Sequence, residues 1–282
     1  RNPLFRRRNA ALLTALIQDQ AVDLVHARSR APAWSALRAA RQTGVPFVTT
    51  FHGTYGHHNA LKRYYNSVMT KGDRVIAISD FVAHHIREFY SVDPSRLVTI
   101  HRGVDTHQFD PAAVSPARIV QLSNAWRLPD GVPVIMLPGR LTRWKGQQIL
   151  LEALYRLPHR DFCCVIVGSG RRRDTYRADL DRMVRERNLE PVMRIVDHQS
   201  DMAAAYMLAD VVVSASTDPE AFGRVAAEAQ AMGRLVVATN HGGARETVVP
   251  GQTGWLVTPG DPGELAAAIA EALAMDAVAR DA

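Results

Sequence analysis

Two cysteines in 282 residues leave little from which to build a disulfide framework or a cysteine-rich metal site. They are neighbours, Cys163 and Cys164, and adjacent residues place their side-chain vectors badly for an unstrained bridge. Their setting, Phe162-Cys163-Cys164-Val165-Ile166-Val167, reads as a buried strand. Both are therefore expected as reduced core residues, in a reducing, cytoplasmic compartment. No apolar run reaches the ~20 residues that span a bilayer. The opening, Arg1-Asn2-Pro3-Leu4-Phe5-Arg6-Arg7-Arg8, does not read as a signal peptide, because Thr14 and Gln18 interrupt the apolar stretch after it and no small-residue cleavage site follows. An initiator methionine is also missing, which reads as a fragment of a longer chain. The Gly-x-x-x-x-Gly-Lys-Ser/Thr spacing of a Walker phosphate loop is absent. Gly168-Ser169-Gly170 lacks the third glycine of a dinucleotide fingerprint, which argues against a dinucleotide-dependent oxidoreductase and leaves a tight turn near a nucleotide. His57 and His58 have no Glu or Cys at metal spacing, so no metal site is expected.

Apolar residues make up 47% of the chain and charged residues 22%, the profile of an ordinary globular protein with one large or two ordinary domains. The net charge of +6 is uneven. Residues 1–117 carry 15 Lys and Arg against 8 Asp and Glu, whereas residues 118–282 carry 19 against 20. A basic first half suits an anionic acceptor or an anionic membrane face, and equally suits general solubility. Nucleic acid is not expected as a partner, since the basic residues are dispersed with few aromatics among them.

Short apolar runs alternate with helical stretches along the chain. Strands are expected at Val22–His26, Pro46–Phe51, Asp73–Ile78 and Leu97–Ile100, with helices at 9–20, 32–43, 57–71 and after Ser79, a good N-cap. Residues 110–132 carry Pro111, Pro116, Pro129 and Gly131 and read as the domain junction. A second series follows. Its strands are Val134–Leu137, Cys163–Val167, Val192–Val196, Asp210–Ser214, Leu235–Ala238 and Gly254–Val257. Its helices are 146–156, 174–188 and 201–208, one from about Gly223 and a last one from Pro262. Such alternation predicts an α/β protein with two doubly wound, Rossmann-like domains and a site in the cleft at the carboxyl ends of the strands. The expected boundaries are 1–115, 116–265 and, for the start of a C-terminal helix, 266–282.

Two motifs carry chemistry. In Glu220-Ala221-Phe222-Gly223-Arg224-Val225-Ala226-Ala227-Glu228, two acids flank a strand-to-helix turn. Eight residues of helix cover ~12 Å, roughly the extent of a folded sugar–diphosphate–ribose unit, and amides near Phe222 and Gly223 at a helix N-terminus suit a diphosphate. The other account of these acids is helix capping by Glu220 and a solvated Glu228. In Gly139-Arg140-Leu141-Thr142-Arg143-Trp144-Lys145-Gly146, Arg140 and Lys145 sit on a loop after a strand, where fixed cations can neutralise a departing diphosphate in place of a divalent metal. His52 ends a strand before glycine, as either a cleft residue or a packing residue. Arg28 and Arg30, at another strand end, either meet an acidic acceptor or are surface arginines. His198 to Met202 opens a helix where base contacts are plausible.

With these residues in hand, the chain resembles the retaining GT-B glycosyltransferases of family 4 over nearly its whole length. The further matching segments are Val22–His26, Phe51-His52-Gly53, Val75–Ser79, His101-Arg102-Gly103-Val104-Asp105, Val167–Gly170 and Gly242-Gly243-Ala244-Arg245-Glu246. The resemblance implies that Arg140 and Lys145 grip the donor phosphates and Glu228 holds the ribose. Glu220, with the amides of Phe222 and Gly223, binds the transferred sugar, and His52 lies near sugar and acceptor. It implies metal-independent, retaining hexosyl transfer from a nucleotide-diphosphate sugar, with no cofactor, to a glycan or lipid-linked acceptor. The setting is cell-envelope polysaccharide or lipopolysaccharide synthesis, cytoplasmic or peripheral on the inner membrane. Full-length members carry further β-α units before the position of Arg1 and a tail beyond Ala282, so the first domain is expected to be incomplete and this chain to transfer weakly or not at all. The competing readings are a nucleotide-sugar 2-epimerase, for which no separate acid/base set is evident, and a non-catalytic scaffold on the same fold.

Overall fold

A computed structural model describes residues 3–56, 59–170 and 175–275. The pair His57–His58 and the end of the chain from residue 276 lie outside the described residues. The chain forms two compact units, Arg1–Arg102 and Gly103–Ala282.

The first unit runs α1 (Pro3–Asp19), β1 (Val25–Ala27), α2 (Arg30–Thr43), β2 (Phe47–Phe51), α3 (Ala60–Asn66), β3 (Arg74–Ala77), α4 (Asp80–Phe89) and β4 (Leu97–Thr99). Its four strands pair in parallel in chain order, β1-β2-β3-β4. Ser79 caps α4 as its sequence predicts, its side chain accepting from the Val82 amide. Strand β1 is shorter than expected and starts only at Val25, where it meets Phe47 of β2; Val22–Leu24 precede the pairing. The expected helix over 57–71 is α3 followed by a 3-10 turn, Ser67–Thr70.

The second unit runs α5 (Pro116–Trp126), β5 (Val134–Pro138), α6 (Gln147–Arg156), β6 (Cys163–Val167), α7 (Tyr176–Glu186), β7 (Met193–Val196), α8 (Met202–Leu208), β8 (Val211–Ser214), α9 (Arg224–Ala231), β9 (Leu235–Thr239), α10 (Ala244–Thr247), β10 (Gly254–Val257) and α11 (Pro262–Ala274). The proline-rich stretch is thus no bare linker. Pro116 sits in the first turn of α5, where a missing N–H costs nothing. The division falls earlier, after Arg102, because Phe109 and Val114 pack into the core of the second unit with Trp126 and Tyr206.

All six strands of the second sheet are parallel, in the order β10-β9-β8-β5-β6-β7. The chain starts at β5, winds out to β7, then returns to β8 on the other side of β5. The switch point of this doubly wound sheet therefore lies between β5 and β8, and ligands of such sheets bind outside the strand carboxyl ends there. Period-two alternation divides the strand residues between two cores: Ile135, Cys164, Ile166, Val211 and Val213 on one face, Met136, Cys163, Val165 and Val212 on the other. The two cysteines are free, buried and on opposite faces, and burial raises both thiols above their ordinary value. Among the described residues, no helix is long and apolar enough to cross a membrane.

Candidate active site

The loop after β5 is fixed by its closing glycine. Gly146 has φ 72°, and a Cβ there would lie 1.8 Å from the carbonyl oxygen of Ala215, the residue after β8. Only glycine lets the two loops of the switch point touch. The Thr217 amide adds a hydrogen bond to the Trp144 carbonyl, 2.7 Å. These contacts bring Lys145 and Glu220 together, Nζ to Oε1 2.6 Å, each side chain 14% exposed. The same Glu220 oxygen accepts from Ser216 Oγ at 2.5 Å and Ser214 Oγ at 3.4 Å. Burial by itself would raise the Glu220 carboxyl, but Lys145 and the two serine hydroxyls outweigh it and hold the group below its ordinary value.

Glu228 lies one turn into α9. The helix is capped by Gly223 in the left-handed conformation, φ 87°, with Phe222 buried just before it. Glu228 is buried rather than solvated, which removes the bland account of this acid. Its Oε1 accepts from Arg224 at 2.5 and 3.0 Å, one turn earlier on the helix, and its Oε2 from the Tyr206 hydroxyl at 3.1 Å. Tyr206 is fully buried on α8, and its hydroxyl is pushed well up by burial and then by the Glu228 charge, so it stays a proton donor. Each acid is thereby matched to one cation, Glu220 to Lys145 and Glu228 to Arg224. Gly243 ties the segment before α10 to this site, its amide donating to the Glu220 carbonyl at 2.8 Å.

Arg140 stands apart from the two pairs. Its side chain is exposed, and its carbonyl accepts from the buried Gln147 amide at 2.9 Å. Neighbouring loops are stitched to this one: Leu141 N donates to Ser169 O, and His198 N to Ser169 Oγ. Gly168–Gly170, expected as a tight turn, form irregular backbone after β6. Asp201, in the stretch considered for base contacts, instead caps α8 and pairs with Arg118 at 2.6 Å.

In the first unit, Arg28 follows β1 and His52 follows β2, so parallel pairing makes them neighbours at the carboxyl edge. Arg28 Nε donates to His52 Nε2 at 3.2 Å, which puts the imidazole proton on Nδ1, a buried atom with no partner. Burial, then Arg102, Arg28 and His26, lower the His52 pKa, so the ring is neutral at neutral pH. Arg30 is not available to an acceptor in the same way. It donates to Asn66 Oδ1 at 3.0 Å and lies 4.4 Å over the Tyr55 ring, joining α2 to α3.

The sequence reading missed Tyr206, Arg224, Ser214 and Ser216. Arg224 was legible from its i,i+4 spacing to Glu228. The serines alternate along the strand end, and Tyr206 could be found only from the fold.

Comparison with known proteins identifies the family of the chain. The model of the family described as Glycosyl transferases group 1 matches residues 120–282, and that of Glycosyltransferase Family 4 matches residues 1–108. A D-inositol 3-phosphate glycosyltransferase of Catenulispora acidiphila is 31% identical over 272 residues, 88% of this chain and 62% of that protein. The chain spans about three fifths of the length of the curated relatives it matches. A crystal structure of a glycosyltransferase from Rickettsia africae superposes with TM-score 0.90 at 42% identity, covering 96% of this chain and 72% of that one. The Anabaena protein HepE in complex with UDP superposes with TM-score 0.86 at 25% identity, covering 96% and 74%. HepE was also solved with UDP-glucose.

Proposed function

This chain belongs to the Glycosyl transferases group 1 family, with the GT-B fold, and from that premise we propose that it carries the donor half and part of the acceptor half of a retaining, metal-independent hexosyltransferase. The donor is a nucleotide-diphosphate sugar, and the acceptor a glycan or lipid-linked molecule of cell-envelope synthesis, met in the cytoplasm or at the inner-membrane surface. The observation that carries the reading is the pair of matched charges at the switch point, Lys145–Glu220 and Arg224–Glu228.

Each pair has a use. A diphosphate arriving at the N-terminus of α9 competes with Glu220 for Lys145, and Arg140 is free to fold onto it. The exchange releases Glu220 oxygens to accept hydrogen bonds from sugar hydroxyls. Glu228, held by Tyr206, accepts from the ribose hydroxyls when Arg224 turns toward solvent or phosphate. The bond from the anomeric carbon to the diphosphate oxygen breaks, the acceptor oxygen bonds to the same face, and the leaving oxygen takes the acceptor proton. Lys145 and Arg140 neutralise the charge that accumulates on the diphosphate. The His52 Nδ1–H, unsatisfied in the free protein, is a donor for a sugar or acceptor hydroxyl.

A thermal-shift panel of UDP, GDP, ADP and their sugars on this chain and on Glu228→Ala tests the donor site. At a hundredfold excess over Kd, a ligand of the folded state stabilises it by about 2.7 kcal/mol. Selective stabilisation by one nucleotide, lost in Glu228→Ala, is the expected result, with UDP the first candidate given the HepE complexes. No response here and none in an N-terminally extended chain would sink the reading. Isomerisation of the bound sugar without acceptor would favour the epimerase instead.

A further inference from the structure

The first unit carries a second concentration of charge, far from His52. A cavity of about 680 Å³ is lined by Arg41, Arg63, Lys71 and Arg96, with the hydroxyls of Tyr64, Ser67 and Ser91. A neighbouring cavity of about 500 Å³ shares Arg41 and Lys71 and adds Arg6, Arg7 and Arg38. No carboxylate lines either one, and among the described residues none of these cations forms an ion pair. Seven of the 15 basic residues of the chain's first 117 therefore line two adjoining hollows.

Three of the cations, Arg6, Lys71 and Arg96, are held in place. Trp34 donates its indole N–H to the Tyr65 carbonyl, and both the Arg6 guanidinium and the Lys71 ammonium lie over its ring, at 5.4 and 5.5 Å. Arg96 donates to the Gly72 carbonyl at 3.1 Å. Like charges fixed around concave walls repel one another and concentrate a positive potential that an anion relieves.

The topology places these hollows at one edge of the sheet. Arg41 stands near the end of α2 before β2 begins, Lys71 just before β3, and Arg96 directly before β4. All three lie at the amino ends of parallel strands. His52 and Arg28 follow the carboxyl ends of β2 and β1. At ~3.3 Å per residue, a strand such as β2 separates the two edges by ~15 Å.

We propose that the joined cavities form a second anion site for a phosphate-bearing ligand, with Arg41 and Lys71 at its centre and Arg63 and Arg96 on its wall. Planar guanidinium groups give paired hydrogen bonds to phosphate oxygens, and Lys71 adds a point charge. The phosphate belongs either to a free phosphorylated molecule or to a lipid headgroup, whose surface the exposed Leu61 and Tyr64 beside Arg63 would meet.

The test uses the 282-residue chain, Arg41→Gln/Lys71→Gln, Arg63→Gln, and Lys62→Gln as a control, an exposed lysine that lines neither cavity. Inorganic pyrophosphate is titrated calorimetrically, and vesicles of phosphatidylglycerol or of phosphatidylcholine are tested by co-sedimentation. Circular dichroism and the UDP response are followed alongside. Binding weakened about tenfold in the double variant and severalfold in Arg63→Gln, with fold and UDP response unchanged, supports the site. Loss in the pyrophosphate arm identifies a free ligand; loss only with phosphatidylglycerol vesicles identifies a headgroup. The proposal is overturned if the wild-type chain binds neither probe, or if Lys62→Gln weakens binding as much as the double variant. Should the double variant misfold, Arg63→Gln decides alone, as its side chain makes no hydrogen bond among the described residues. A missing UDP response would count against the donor reading only.

Discussion

The two units treat charge in opposite ways. At the switch point of the second sheet, Glu220 faces Lys145 and Glu228 faces Arg224. The first unit gathers cations around Arg41 and Lys71, in two cavities that no carboxylate among the described residues lines. A site whose charges already cancel can be dry and preorganised, because buried groups keep partners while it stands empty. A site of one sign must stay wet or partly open until its ligand supplies the other. On the proposed reading, the second unit exchanges an internal pair for a ligand contact and the first captures an anion.

The comparison can be broken in several ways, the most disruptive being at the loop that makes the Lys145–Glu220 pair possible. Gly146→Ala forces a Cβ onto the Ala215 carbonyl in a left-handed conformation. Strain and overpacking together should destabilise the second unit by about 4 kcal/mol, read as a drop in urea midpoint. Lys145→Met leaves Glu220 nearly buried without its cation and should cost about 3 kcal/mol. Adding Glu220→Gln should return most of that loss, and a double-mutant cycle by chemical denaturation measures the difference. The pair also predicts a pH effect. The folded-state pKa of Glu220 is depressed, so its contribution is complete above the ordinary carboxylate range and fades as the pH falls below 4.5. Thermal scans should show wild type losing stability in that window more steeply than Glu220→Gln.

Smaller effects sharpen the contrast. Tyr206→Phe keeps the ring in the core but removes the hydroxyl from Glu228 Oε2. A stability loss of about 1 kcal/mol and a severalfold weaker nucleotide response are expected, and a loss of stability with binding untouched would show Tyr206 to be packing alone. His52→Gln should change stability least, by about 0.5 kcal/mol or less, since its Nδ1 is unsatisfied already. Its effect should fall on transfer rate, measured on an extended chain with donor and acceptor present.

Much of the fold was legible because burial leaves a period in the sequence. Runs such as Cys163–Val167 and Val211–Ser214 announce strands buried on both faces, and Ser79 announces a helix start. Edges were less legible. Val22 is as β-prone as Val25, yet only the partner strand decides where pairing begins. The junction was misplaced because prolines mark a helix start as readily as a linker, and only the packing of Phe109 and Val114 tells which. At the site, Glu220, Glu228, Arg140 and Lys145 stood out by type and spacing. The sequence reading gave Arg140 and Lys145 one task, whereas in the structure Lys145 alone reaches an acid.

What the sequence determined by itself was local: alternation that makes parallel strands, caps that start helices, and chemically suited residues at strand ends. What tertiary structure decided was which strand ends meet. The order β8-β5 sets two loops 75 residues apart against each other, and that adjacency pairs Lys145 with Glu220. Side-chain pairing across such distances depends on sheet order, and sheet order follows from packing two helical layers on one twisted sheet, which no single segment encodes.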